Sequence, residues 1–214
     1  MTTHVIMLID KSGSMYPFED DVRGGFNSYL DDLGKDTEVD YSVTVALFDD
    51  KYELLCNSKS PNEAPRLTKD NYQVSNSTAL LDAVGKSITD FEKLGKLTED
   101  STDRVLLVIN TDGRENSSHE FDNTTIRQMI ADREAVVDGL PTGKWSVLYL
   151  GQHAEAWAEA DNLGIRRGST VSVGRTGGQT MSSYSSLSSG TGKFSRGASS
   201  DHVAKEVQDG QKST

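Results

Sequence analysis

Two nearly unbroken apolar runs, His4–Asp10 (HVIMLID) and Arg104–Thr111 (RVLLVINT), constrain this chain more than any other feature. A strand with one wet face alternates apolar and polar residues, so a run that is apolar at almost every position must be covered on both faces. Helical patterns lie between and beyond such runs. Phe18, Val22, Phe26, Tyr29, Leu30 and Leu33 recur at helical spacing, with Gly34 as a stop. Tyr41–Phe48 and Tyr52–Cys56 read as strands, and the Asp49-Asp50-Lys51 link is too short for a parallel crossover, so the two form a hairpin. Asn57–Ser77, polar and carrying Pro61 and Pro65, reads as a loop over the surface.

Leu81, Val84, Ile88, Phe91 and Leu94 predict a helix over 79–94. Ile126, Met129, Ile130, Val137 and Leu140 predict another, opened by Asp122 or Asn123 as its cap. Lys144–Gly151 reads as a strand, Ala154–Asn162 as a short helix and Thr170–Val173 as a last strand. From Gly174 to Ser200 the chain is rich in Ser and Gly, which suits a linker. Met181, Tyr184, Leu187 and Phe194 nevertheless fall on one stripe and predict an amphipathic helix over about 180–196. Residues 201–214 read as a flexible tail. The expected architecture is one α/β domain over 1–200: a three-layer, doubly wound, mainly parallel central sheet with one antiparallel edge strand.

Composition narrows the function. Of 214 residues, 33 are acidic and 22 basic, a formal charge of −11, which argues against nucleic-acid binding by a basic footprint. The longest apolar run is far below the roughly 18 residues of a membrane span, and no signal peptide is visible. A single cysteine, Cys56, excludes an internal disulfide framework, and a cytoplasmic setting is the expectation. Cys56 reads as a small buried or edge-strand apolar residue rather than a reactive thiol.

In open α/β sheets, sites form beyond the carboxyl ends of the strands, where strand order reverses. Asp10 closes the first apolar run and is followed by Lys11-Ser12-Gly13-Ser14; Asp112 closes the second. Thr78, after Ser75-Asn76-Ser77, adds a hydroxyl from a third loop. Two carboxylates and three hydroxyls, with neither sulfur nor imidazole, suit Mg²⁺, Mn²⁺ or Ca²⁺ and are poor for zinc or copper. Against this stands a plainer possibility, that Asp10 and Ser12 merely cap the helix that follows.

Asp10-Lys11-Ser12-Gly13-Ser14, then Ser77-Thr78-Ala79-Leu80-Leu81-Asp82-Ala83, then Thr111-Asp112-Gly113-Arg114-Glu115-Asn116 together resemble the von Willebrand factor A (VWA) domains and their metal-ion-dependent adhesion site. The likeness covers roughly residues 4–175, and Asn110 and Arg114 depart from its usual pattern without being ligands. It implies a Rossmann-type VWA fold of the stand-alone intracellular type found in bacteria and their viruses. It also implies a metal site in which Ser12 and Ser14 bind the ion directly, while Asp10, Asp112 and Thr78 bind directly or through water. The implied function is a non-enzymatic protein-interaction module in which a partner protein supplies a carboxylate to the metal, Mg²⁺ first. The alternative is a Mg²⁺-dependent hydrolase or phosphotransferase using Asp10. Against that alternative, position 12 is Ser rather than a second Asp, and no Gly-rich phosphate loop is present.

His119 reads as a solvated loop residue, Trp145 and Trp157 as core anchors, and Glu115 and Asp49 as surface charges near the ion. His4, His153 and His202 carry no pattern. The stretch 162–200 holds no acidic residue but carries Arg166, Arg167, Arg175, Lys193 and Arg196. Either this face balances an acidic body or it docks an acidic partner.

Overall fold

The computed structural model describes residues 1–75, 77–97, 101–112, 114–137, 140–141, 143–151, 156–173 and 177–212. Its strands are β1 (Thr2–Asp10), β2 (Asp40–Phe48), β3 (Tyr52–Lys59), β4 (Arg104–Thr111), β5 (Val136–Val137), β6 (Leu140–Pro141), β7 (Trp145–Gly151) and β8 (Thr170–Ser172). Its α-helices are α1 (Glu19–Lys35), α2 (Leu80–Lys93), α3 (Asn123–Glu134), α4 (Ala156–Asn162), α5 (Gly177–Ser195) and α6 (Ser200–Lys212). The main sheet has six strands in the order β3-β2-β1-β4-β7-β8. All neighbours in it are parallel except the β2–β3 edge hairpin. This is the expected α/β architecture. No helix among the described residues is long and apolar enough to cross a membrane.

The doubly apolar runs become the central strands because alternate residues feed two cores. Val5, Met7 and Ile9 of β1 join Leu106 and Val108 of β4 under Phe26, Tyr29 and Leu30 of α1, Tyr184, Leu187 and Phe194 of α5, and Val203 and Val207 of α6. Ile6 and Leu8, with Leu107 and Ile109, face the other way onto Val84 and Ile88 of α2 and Ile126 and Ile130 of α3. The α1 helix opens on Glu19, Asp20 and Asp21 and ends on Lys35, charges that complement its dipole. In α3 the Asp122 carboxylate accepts the Thr125 N–H at 2.7 Å, so Asp122 is the cap.

Several expectations change. β3 runs on to Lys59 through a register shift and Ser58 at φ 54°, rather than stopping at Cys56. The polar stretch after it is no surface loop throughout, because Ala64, Leu67 and Tyr72 are buried in the first core. α3 stops at Glu134, with Ala135 left-handed at φ 43°. Val137 and Leu140 therefore lie in the β5–β6 ribbon, where β-branched Val136–Val137 and Pro141 disfavour helix. In the helix expected at Ala154–Asn162, residues 154 and 155 lie outside those described, as does His153.

The Ser/Gly-rich segment does form a helix, but Met181 sits outside its inward stripe at 42 % exposure. Residues 201–212, expected as a flexible tail, belong to α6 and bury Val203, Ala204 and Val207. Within the basic stretch, Arg166, Lys193 and Arg196 make ion pairs inside the fold. Arg166 pairs with Asp201 at 2.5 Å, Lys193 with Glu206 at 2.5 Å, and Arg196 with Asp36 and Glu38 at 3.2 and 2.9 Å. Arg175 lies outside the described residues.

Candidate metal centre

β1 and β4 lie side by side at the centre of the sheet, with β2 and β3 to one side and β7 and β8 to the other. Strand order therefore reverses between them, and their carboxyl ends frame a crevice. Register brings the chemistry together there. Ile9 pairs with Asn110, so on the next rung Asp10 faces Thr111, and Asp112 follows one residue on.

Asp10 is fully buried. Its Oδ1 accepts the Ser12 N–H at 2.6 Å, and its Oδ2 accepts the Thr111 hydroxyl at 2.5 Å. The Ser12 and Ser14 hydroxyls lie 3.1 Å apart, and Ser14 Oγ donates to Asp112 Oδ1 at 2.6 Å. Asp10, Ser12, Ser14 and Asp112 thus form one hydrogen-bonded chain across the crevice. Ser12 opens the short 3₁₀ turn Gly13–Phe18 without a side-chain cap bond, so its hydroxyl is not simply a helix cap.

Burial pushes the Asp10 carboxyl up to about 6, against the hydrogen bonds from Thr111 and Ser12 that favour its charge, and the negative charge of Asp112 adds to the rise. The side-chain donors gathered with these two carboxylates, Ser12 and Ser14, are hard oxygen. Among the described residues no three of His, Cys, Asp and Glu gather as a metal cluster, so an ion here would have to use the hydroxyls. A carboxylate offers about four lone-pair positions, more than the Thr111 and Ser12 hydrogen bonds to Asp10 occupy. The residues present fit a hard divalent cation.

Thr78 is buried but joins the cluster through backbone. Its N–H donates to Asn116 Oδ1 at 2.9 Å, and its carbonyl accepts from Asn116 and Ser117 N–H at 3.0 and 3.2 Å. The next residue, Ala79, donates its N–H to the Asp49 carbonyl at 2.7 Å. Thr78 is therefore fastened to the loop that follows Asp112, while its hydroxyl is not part of the chain linking the other four.

Glu115 and Asp49 are more than surface charges. Glu115 accepts the Leu81 N–H at the start of α2 at 3.0 Å, and those of Ser117 and Ser118 at 2.9 and 2.7 Å. Asp82 returns the favour by accepting from His119, Glu120 and Phe121 N–H. His119 itself is exposed. Burial would push the Asp49 carboxyl up, but the Lys51 N–H, Ser75 and the Lys11 charge hold it below the usual range.

Thr111 and Tyr72 are contributors that reading the sequence missed. Thr111 carries a signal in hindsight, since it precedes Asp112 at a strand end in register with Asp10. Tyr72 donates its hydroxyl to the Asp10 carbonyl at 2.7 Å from within a polar stretch, and nothing in its neighbours flags it.

No family model and no curated protein sequence matches the chain. Its likeness is to solved structures. A von Willebrand factor type A protein from Catenulispora acidiphila aligns over 89 % of this chain and 42 % of its own, at 14 % identity and TM-score 0.59. Manganese-loaded TRAP protein of Plasmodium vivax aligns over 81 % of this chain and 69 % of its own, at 13 % identity and TM-score 0.56. The PilB minor pilin of Streptococcus sanguinis aligns over 92 % of this chain and 62 % of its own, at 13 % identity and TM-score 0.59. The chain thus spans about two fifths of the first of these proteins and about two thirds of the other two. Six strands in this order, with the flanking helices and these neighbours, make the chain a von Willebrand factor A-like fold.

Proposed function

We propose that this chain is a protein-interaction module, not an enzyme, which captures a carboxylate of a partner protein through a divalent cation at the β1–β4 crevice. Ser12 and Ser14 would hold the ion directly, with Asp10, Asp112 and Thr78 acting directly or through water, and Mg²⁺ is the first candidate with Mn²⁺ or Ca²⁺ as substitutes. The observation that carries this is the hydrogen-bonded chain Ser12–Ser14–Asp112 backed by the buried Asp10 carboxylate. The manganese carried by the Plasmodium TRAP neighbour supports a divalent ion in this fold.

A mostly neutral ligand shell leaves the ion net positive and attractive to an anionic group. Enzymatic use of Asp10 as a nucleophile is disfavoured because position 12 is Ser rather than a second Asp and the sequence has no Gly-rich phosphate loop. We place the module in the cytoplasm, on the strength of its single cysteine. Calorimetry with Mn²⁺ tests the reading: wild type takes up one ion and Asp10→Ala takes up none, and partner capture is lost with the variant or with chelator. Equal uptake by the two proteins contradicts it.

A further inference from the structure

We propose that Tyr72 is the positioning residue of the 10–14 turn, its phenol holding that turn in the shape that receives the cation. This rests on the metal-binding reading above. The segment around Tyr72 is tied down from the α1 side. Asn27 exchanges two hydrogen bonds with Leu67, donating to its carbonyl at 2.9 Å and accepting its N–H at 2.8 Å. Arg23 donates to the Tyr72 carbonyl at 3.4 Å and is itself braced by Asp20 and by Glu19. Glu19 also accepts the Val74 N–H at 3.3 Å.

Anchored this way, the segment presents two donors to two consecutive carbonyls of the turn. Tyr72 Oη meets the Asp10 carbonyl and the Ser75 N–H meets the Lys11 carbonyl, each at 2.7 Å. Ser12 and Ser75 form a parallel bridge at the same place. On the opposite side the Lys11 N–H donates to the Phe48 carbonyl at 2.7 Å. The peptide groups that lead into Ser12 are thus gripped from both sides. The Ser12 N–H is left to meet Asp10 Oδ1, and the Ser12 and Ser14 hydroxyls to meet one another and Asp112. Tyr72 is fully buried, so a phenylalanine would fill its space while withdrawing the donor.

The test is Tyr72→Phe in the whole chain, read by Mn²⁺ calorimetry and by thermal unfolding in chelator, beside Val207→Ala in the α6 core as a purely structural comparison. Tyr72→Phe is expected to weaken Mn²⁺ binding roughly 10- to 100-fold, the range seen for groups that orient a metal's ligands. Val207→Ala is expected to lower the unfolding temperature at least as far and leave Mn²⁺ affinity unchanged. Amide exchange in the metal-free protein supplies a second readout: the Ser12 N–H exchanges faster in Tyr72→Phe and not in Val207→Ala. Unchanged affinity, or unchanged Ser12 exchange, in Tyr72→Phe overturns the positioning role and leaves the ion-binding reading standing. No Mn²⁺ uptake by the wild type overturns both.

Discussion

A buried carboxylate at a strand end is costly unless its oxygens are occupied, and Asp10 shows how this chain meets that demand. The Ser12 N–H and the Thr111 hydroxyl each take one oxygen, while burial and the nearby Asp112 charge work against its ionisation. His4, at the other end of the same strand, meets the opposite problem. Its ring is buried against the edge of Phe91, with Asp103 at 3.7 Å. Burial holds it below its ordinary value of 6.5, against the pull of Asp103, so the folded protein favours the neutral ring. The unfolded chain then binds the proton more readily, and this contribution to stability, complete above 6.5, is lost as pH falls below it. Urea unfolding should therefore show wild type weakening from neutral to about pH 5, with His4→Phe losing less over that interval. An equal loss in both proteins contradicts the assignment.

Among the elements, the α1–α5 contact depends on what is missing. A methyl group at Gly25 would overlap the Tyr184 ring, and the Tyr184 hydroxyl accepts a hydrogen bond from Asn110 near the end of β4. On an isolated helix Gly→Ala gains about 1 kcal/mol. Here Gly25→Ala should instead cost about 1–3 kcal/mol through overpacking, seen as a lower thermal midpoint, and a rise would show that the helices separate freely. The strands and most helices were legible in the sequence because their burial is written in local periodicity: β1 and β4 are apolar on both faces, and Tyr184, Leu187 and Phe194 mark α5 through its serines. Elements held by distant partners were not. α6 offers Val203, Ala204 and Val207 among polar residues, and it is fastened by α5 and by Arg166, whose guanidinium bonds Asp201 and the Ser200 hydroxyl. The four candidate ligands that share a hydrogen-bonded chain were legible as strand-end motifs. Tyr72 was not, because a single aromatic residue in a polar stretch has no period to betray it.

For the whole molecule, the sheet acts as a ruler that sets two loops from distant parts of the sequence side by side at the strand-order reversal. Ligand binding to the folded state alone must then stabilise the entire fold. Mn²⁺ at 100 times its dissociation constant should add about 2.7 kcal/mol to wild type and nothing to Asp112→Ala, measured by denaturant unfolding with and without the ion. The most direct measurement is anomalous diffraction from a crystal soaked in Mn²⁺. One peak at about 2.1 Å from both Ser12 Oγ and Ser14 Oγ is the predicted result. A crevice without a peak, or a peak held by residues away from the ends of β1 and β4, would contradict it.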